Sequence, residues 1–287
     1  MLVDVGVPLL VLTSMFVVGT ELTAQDFRRV VREPGTIVVA TLAQFLLLPL
    51  IAWGLVSCLP MQPAIAQGLL LVATCPSGSM ANVYSYLARF NVALSVTLTA
   101  VSCLAALVMT PLALAMIQTG VGEANRLSVP QGVLARQLIA LLILPVLCGM
   151  GLRRWWPDFT QRHGRTLLRI SIAALALLLL AIIVRESQQF AGALPEIAAA
   201  ASLFTVLAFT VGYATGWACG ANATNRLSLG MVFVVRNVGI ATAIAVTVLG
   251  QLEFAVFATA YFLVQVPILL PTVLMFRRAP VGDATTS

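Results

Sequence analysis

Long apolar runs alternate with short polar connections along almost the whole chain. Each run is close to the ~20 residues that a helix needs to cross about 30 Å of hydrocarbon. The pattern predicts nine spans, at roughly 3–20, 36–58, 64–88, 92–117, 132–151, 167–184, 197–219, 228–249 and 254–276. The fold class is therefore an all-helical polytopic membrane protein. It forms one membrane domain over 1–287, with a first half at about 1–117, a second half at about 132–276 and a short tail at 277–287.

Two spans break the apolar pattern. The third contains Cys75-Pro76-Ser77-Gly78-Ser79, and a proline there removes a backbone hydrogen bond and clashes with the preceding turn. Irregular backbone at membrane depth is tolerated only where protein or a water-filled cavity surrounds it. Asn82 follows this break, where it is expected to cap the second half-helix. The eighth span carries a full charge, Arg236, near its middle, with Asn237 beside it and Gly239 just after. A charge at that depth costs at least ~2.5–3.5 kcal/mol and marks a functional site by default. Snorkelling to the headgroups serves residues near helix ends, and Arg236 is about eight residues from either end of its run. Interrupted segments in corresponding positions of two halves point to a transporter site between inverted repeats.

Other polar residues at depth are fewer. Gln44 is alone in the second span, and Ser95, Thr99 and Ser102 share one face of the fourth. Hydroxyls of that kind also occur at ordinary helix contacts. Thr13 and Ser14 mark the first span and Gln265 the ninth, with Pro267 and Pro271 after it. The fifth span, with Pro145, Gly149 and Gly151, reads as a kinked packing helix, and the sixth shows no polar site. Gly212, Gly216 and Gly220 form a small-residue stripe for close helix contact in the seventh.

Composition agrees with the pattern and adds orientation. The chain of 287 residues is 60% hydrophobic and 9% charged, with a mean hydropathy of +1.02. A net charge of +6 is no nucleic-acid signal here, because the basic residues, all arginine, are distributed by side. Arg28, Arg29, Arg32, Arg89, Arg153, Arg154, Arg162, Arg165, Arg169, Arg226, Arg277 and Arg278 fall on one side, which is placed in the cytoplasm. Arg126, Arg136 and Arg185 fall on the other. The N-terminus is then outside and the C-terminus inside, in the cell (plasma) membrane, and no cleavable signal peptide is expected. Five cysteines without CxxC spacing suggest neither a disulfide framework nor a metal site. No enzyme is expected, since no carboxylate, histidine or metal cluster lies at depth. No cofactor is implied.

The stretch CPSGSMANVYSYLARFNVALSVTLTAVS (75–102) closely resembles the signature of the bile acid:sodium symporter family. GTELTAQDF (19–27) and AQFLLLPLIAW (43–53) are similar to that family's early helices, and the resemblance runs from about residue 8 to 276. It implies a panel domain and a core domain, with spans 3 and 8 crossing in the core at Pro76, Gly78 and Gly239. It implies nine helices, without the extra N-terminal helix of ten-helix members. It implies organic-anion substrates and two sodium ions behind the crossing. Asn82, Ser95, Thr99 and Gln44 match the family's sodium ligands, and Asn237 and Gly239 match an E-x-G-x-Q-N-x-G segment. Ala81 stands where a serine is usual, Val232 replaces the glutamate shared by both sodium sites, and Arg236 replaces the glutamine.

The changes at Val232 and Arg236 act in one direction, against a cation. Two unit charges about 4 Å apart at an effective dielectric near 20 repel by ~4 kcal/mol. Sodium is therefore not expected at what remains of the site, Ser95, Thr99, Asn82 and Val232. The guanidinium is expected to take a sodium position and tie the crossing through Asn82, Gln44 and backbone carbonyls. A substrate carboxylate is a second candidate partner for it. The partners are then a small organic anion and the lipid bilayer. An ordinary sodium symporter with one degraded site and a membrane sensor on a transporter fold stay open as alternatives.

Overall fold

The computed structural model describes residues 2–23, 34–120 and 131–278. The connections holding Arg28, Arg29, Arg32 and Arg126 lie outside the described residues. The described chain is helix joined by short turns: α1 (Leu2–Glu21), α2 (Pro34–Cys58), α3 (Pro63–Thr74), α4 (Met80–Leu87) and α5 (Val92–Gly120) in the first half. The second half holds α6 (Gln131–Leu138), α7 (Leu144–Trp155), α8 (Pro157–Arg185), α9 (Ser187–Ala218), α10 (Ala223–Val234), α11 (Val238–Ala243) and α12 (Phe254–Arg278). Two π-helical turns, Ile139–Ile143 and Ile244–Val248, continue α6 into α7 and extend α11.

Among the described residues, five helices are long and apolar enough to cross a membrane: Pro34–Cys58, Val92–Ala115, Gly132–Trp155, Ala191–Ala218 and Phe254–Phe276. Their outward faces are greasy. Leu50, Val108, Leu144, Val206 and Met275 are all more than half exposed. Apolar surface on that scale is a liability in water and ordinary against lipid.

The helices pack in two groups. α1 lies against α7 and α8, while α9, α10, α12, α2, α3 and α5 pack among themselves. Glycines set both close contacts. A Cβ on Gly19 or Gly149 would strike backbone of Val146 or of Phe16, so α1 and α7 touch main chain to main chain. Gly212 and Gly216 do the same for α9 against α10: a Cβ at Gly212 would lie 2.7 Å from the Leu229 carbonyl oxygen. Gly220 does not belong to that stripe. It sits beyond the end of α9 at φ +69, with open space around it, and ends the helix in the left-handed conformation that glycine adopts freely. Gly151 likewise makes only an ordinary contact, with Trp155.

The turn of each π segment brings the two helix groups together at one end of the bundle. There the Gln137 amide donates to the Thr247 hydroxyl. At the opposite end Arg153 donates to the Thr20 carbonyl (2.8 Å), and Trp155 and Trp156 are exposed beside it.

Candidate functional site

Helix is interrupted twice in the interior, and the two interruptions meet. Cys75 turns extended after α3 (φ −72, ψ 157), and Val235 does so between α10 and α11, with Asn237 also non-helical (φ −79, ψ 84). Pro76 enforces the first break by lacking an N–H. The freed main-chain groups then pair with each other. Gly78 N–H donates to the Val235 carbonyl (2.8 Å), and Asn237 N–H donates to the Pro76 carbonyl (2.9 Å). Ser77 and Arg236 thus face each other as an isolated antiparallel bridge. Gly78 is required by this approach, because a Cβ there would lie 2.9 Å from the Arg236 carbonyl oxygen. Side chains complete the bonding: Ser77 Oγ donates to the Val235 carbonyl (3.2 Å), Ser77 N–H to Ser102 Oγ (3.2 Å), and Tyr261 Oη to the Val234 carbonyl.

Arg236 projects from this bridge into the interior and is only 2% exposed. Nη1 donates to Gln44 Oε1 (3.1 Å) on α2, and Nη2 donates to the carbonyls of Cys75 and Ala73 (3.4 Å to Ala73) at the end of α3. The guanidinium therefore caps the carbonyl end of α3, where the helix dipole favours a cation. Nε has no partner, nor has Gln44 Nε2. Among the described residues Arg236 is the only buried charged side chain, and none of the described Asp or Glu side chains is buried.

Asn82, Ser95 and Thr99 form a second cluster. Asn82 Oδ1 accepts from Ser95 Oγ (2.8 Å) and from Thr99 Oγ1 (3.4 Å). This corrects two sequence expectations. Asn82 does not cap α4, whose N-cap is Ser79 without a side-chain bond, and it does not touch Arg236. The hydroxyls on α5 claim its carbonyl oxygen instead. Val232 is fully buried in apolar surroundings. Asn237, by contrast, is a true cap: its Oδ1 accepts from Ile240 N–H (3.1 Å) and starts α11. Gly239, expected at the break, lies inside α11, and the break itself is Val235–Asn237.

A cleft of about 60 Å³ opens on the other side of the crossing. Its polar lining comes from Ser14 on α1, Ser79, Asn237 and Ser171 on α8, with Arg236 and Phe262 also on the wall. Ser171 was hidden in a segment that reads as purely apolar, and a single serine among leucines carries no periodic signal. Thr13 is exposed and spends its hydroxyl on the Leu9 and Leu10 carbonyls, so it does not join the site. Gln265 is fully buried, does not line the cleft, and leaves both amide atoms without partners. No group of three or more His, Cys, Asp or Glu that could hold a metal occurs among the described residues.

Comparison with known proteins places this geometry in context. The Sodium Bile acid symporter family matches residues 8–193. The chain is similar to a probable sodium/metabolite cotransporter, chloroplastic, of Oryza sativa subsp. japonica, 32% identical over 199 residues, covering 69% of this chain and 46% of the relative. It is similar to an uncharacterized sodium-dependent transporter of Bacillus subtilis, 31% identical over 169 residues, covering 59% and 51%. It is similar to the ileal sodium/bile acid cotransporter of Homo sapiens, 27% identical over 202 residues, covering 69% and 57%. The matched part thus spans about half the length of these relatives.

Proposed function

The chain belongs to the sodium bile acid symporter family, and on that premise we propose that it is a membrane transporter of small or amphipathic organic anions that works without sodium. One observation carries the departure from its relatives. The carbonyl oxygens of Ala73 and Cys75 and the Oε1 of Gln44 all accept from the Arg236 guanidinium. Those are the kinds of neutral oxygen that a sodium ion would use. With a permanent cation on them and Val232 in place of a carboxylate, a second cation about 4 Å away meets ~4 kcal/mol of repulsion, roughly a thousandfold in affinity.

The substrate is a carboxylate bound in the cleft against Ser14, Ser79, Ser171 and Asn237, with its apolar part among Leu10, Val11, Met15 and Phe262. The nine segments read from the sequence all cross the cell membrane, with the arginine-rich connections in the cytoplasm. The two broken segments act as discontinuous crossing helices of an inverted repeat. Access alternates as the group of α1, α7 and α8 moves against the remaining helices. An anion entering a negative cytoplasm works against ~2.3 kcal/mol per 100 mV. Without a coupling cation the natural modes are uniport, efflux or anion exchange.

A second reading has its own support. Ser95 and Thr99 converge on Asn82, and this cluster is the remnant through which one sodium ion would couple. The melting temperature of the purified protein in sodium chloride, against choline chloride at equal ionic strength, decides between them. A ligand of the native state stabilises it with the logarithm of its concentration. We expect sodium to add nothing over choline. A sodium-specific rise would return the protein to ordinary sodium symport.

A further inference from the structure

Arg236 is a buried cation with no buried carboxylate among the described residues to balance it. Its hydrogen bonds do not exhaust it. Nε–H is unpaired, the Nε2 amide of its partner Gln44 is unpaired, and so is the hydroxyl of Thr41, one turn earlier on the same face of α2. All three side chains are buried, with Arg236 at 2%, Gln44 at 0% and Thr41 at 7% exposed. Buried donors without partners on Arg236 and on its partner Gln44, beside an uncompensated positive charge, suit an anion, since a buried unpaired cation is costly.

We propose that Arg236 and Gln44, assisted by Thr41, hold a small monovalent anion of the charge and size of chloride beside the crossing. The inference rests on the reading that Arg236 has displaced sodium, and it turns a cation site into an anion site. A carboxylate group would satisfy the same donors. Their near-complete burial favours a one-atom ion over the head of a carried molecule, which has the cleft and its serines to bind. Arg236 also lines the cleft, so the charge of the ion would be felt by a substrate anion bound there. Chloride is then either a fixed counter-ion or the species exchanged for substrate.

The test varies the anion at constant sodium, so it is independent of the sodium–choline comparison. The melting temperature of the full chain is followed in sodium chloride, bromide, acetate and gluconate at equal ionic strength, from about 1 to about 300 mM. Chloride and bromide are expected to raise it by on the order of 5 °C over gluconate, and Arg236→Gln is expected to abolish the difference. Should that variant fail to fold, bromide soaked into crystals of the native chain is expected to give an anomalous peak in contact with the guanidinium. A rise with acetate but not chloride would assign the donors to a carboxylate and overturn the halide proposal. Equal curves in all four salts, or no bromide peak at Arg236, would overturn it too. A sodium-specific rise in the earlier experiment would remove its premise while leaving the anion curves to be read on their own.

Discussion

Arg236 reaches across the crossing to Gln44, Nη1 to Oε1 at 3.1 Å, and joins residues 192 apart in sequence. The contact ties α2 to the second half of the chain at the point where both halves lose their helix.

Removing the acceptor leaves a buried cation under-satisfied. Hydrogen bonds to charged groups contribute ~1.5–3 kcal/mol each. Gln44→Leu should therefore lower the melting temperature by roughly 5 °C. Gln44→Glu should hold or raise it, because a carboxylate neutralises the guanidinium, and should also erase any response to chloride. Thermal unfolding of the two variants in chloride and gluconate measures both effects.

Restoring the glutamate and glutamine that the family resemblance implies at these positions should restore the ion. Val232→Glu/Arg236→Gln supplies a carboxylate and frees the carbonyls of Ala73 and Cys75. Sodium at ~100 times its dissociation constant would then stabilise by ~2.7 kcal/mol. We expect a sodium-specific shift in the double variant that the native chain lacks. Identical curves in sodium and choline for the double variant would mean that more than these two positions has changed.

Much of this was readable in advance, and the reasons differ by residue. Pro76 and Gly78 announce a break because neither suits a helix interior, and Arg236 stands out because nothing else charged lies in its apolar run. The family resemblance groups Asn82 with Ser95 and Thr99, but spacing alone does not. Spacing places it after a break and suggests a cap, whereas its bonds to Ser95 and Thr99 depend on how α5 packs. Gly220 looks like the third glycine of a stripe, yet it is a helix terminator, because α9 ends at Ala218. Ser171 enters the cleft only through the approach of α8 to α1, a tertiary fact with no local trace.

Gln265 offers a test of whether a buried polar residue in this bundle is idle. Both amide atoms are unpaired at zero exposure. An unsatisfied buried group costs ~1–3 kcal/mol, and an apolar replacement of similar shape removes that cost. Gln265→Met should raise the melting temperature by a few degrees and leave anion-dependent shifts unchanged. A fall instead would show that ordered water or an ion satisfies the amide in the folded protein.

Gly78 and Gly54 separate the geometry of the crossing from helix propensity. Gly54 lies in α2 with nothing within 4 Å of a built Cβ, so Gly54→Ala should stabilise by up to ~1 kcal/mol through propensity alone. A methyl on Gly78 would lie 2.9 Å from the Arg236 carbonyl oxygen, in the gap between two hydrogen-bonded extended segments. Relief requires the segments to part, which stretches the bond from Gly78 N–H to Val235 and moves Arg236 off the Cys75 carbonyl. Overpacking of this kind costs ~1–3 kcal/mol. Gly78→Ala should thus melt several degrees below the native chain while Gly54→Ala melts at or above it. It should also weaken any chloride response, since the donors that hold the anion move with the backbone. If both variants behaved alike, the close approach of the two breaks would not be what positions Arg236.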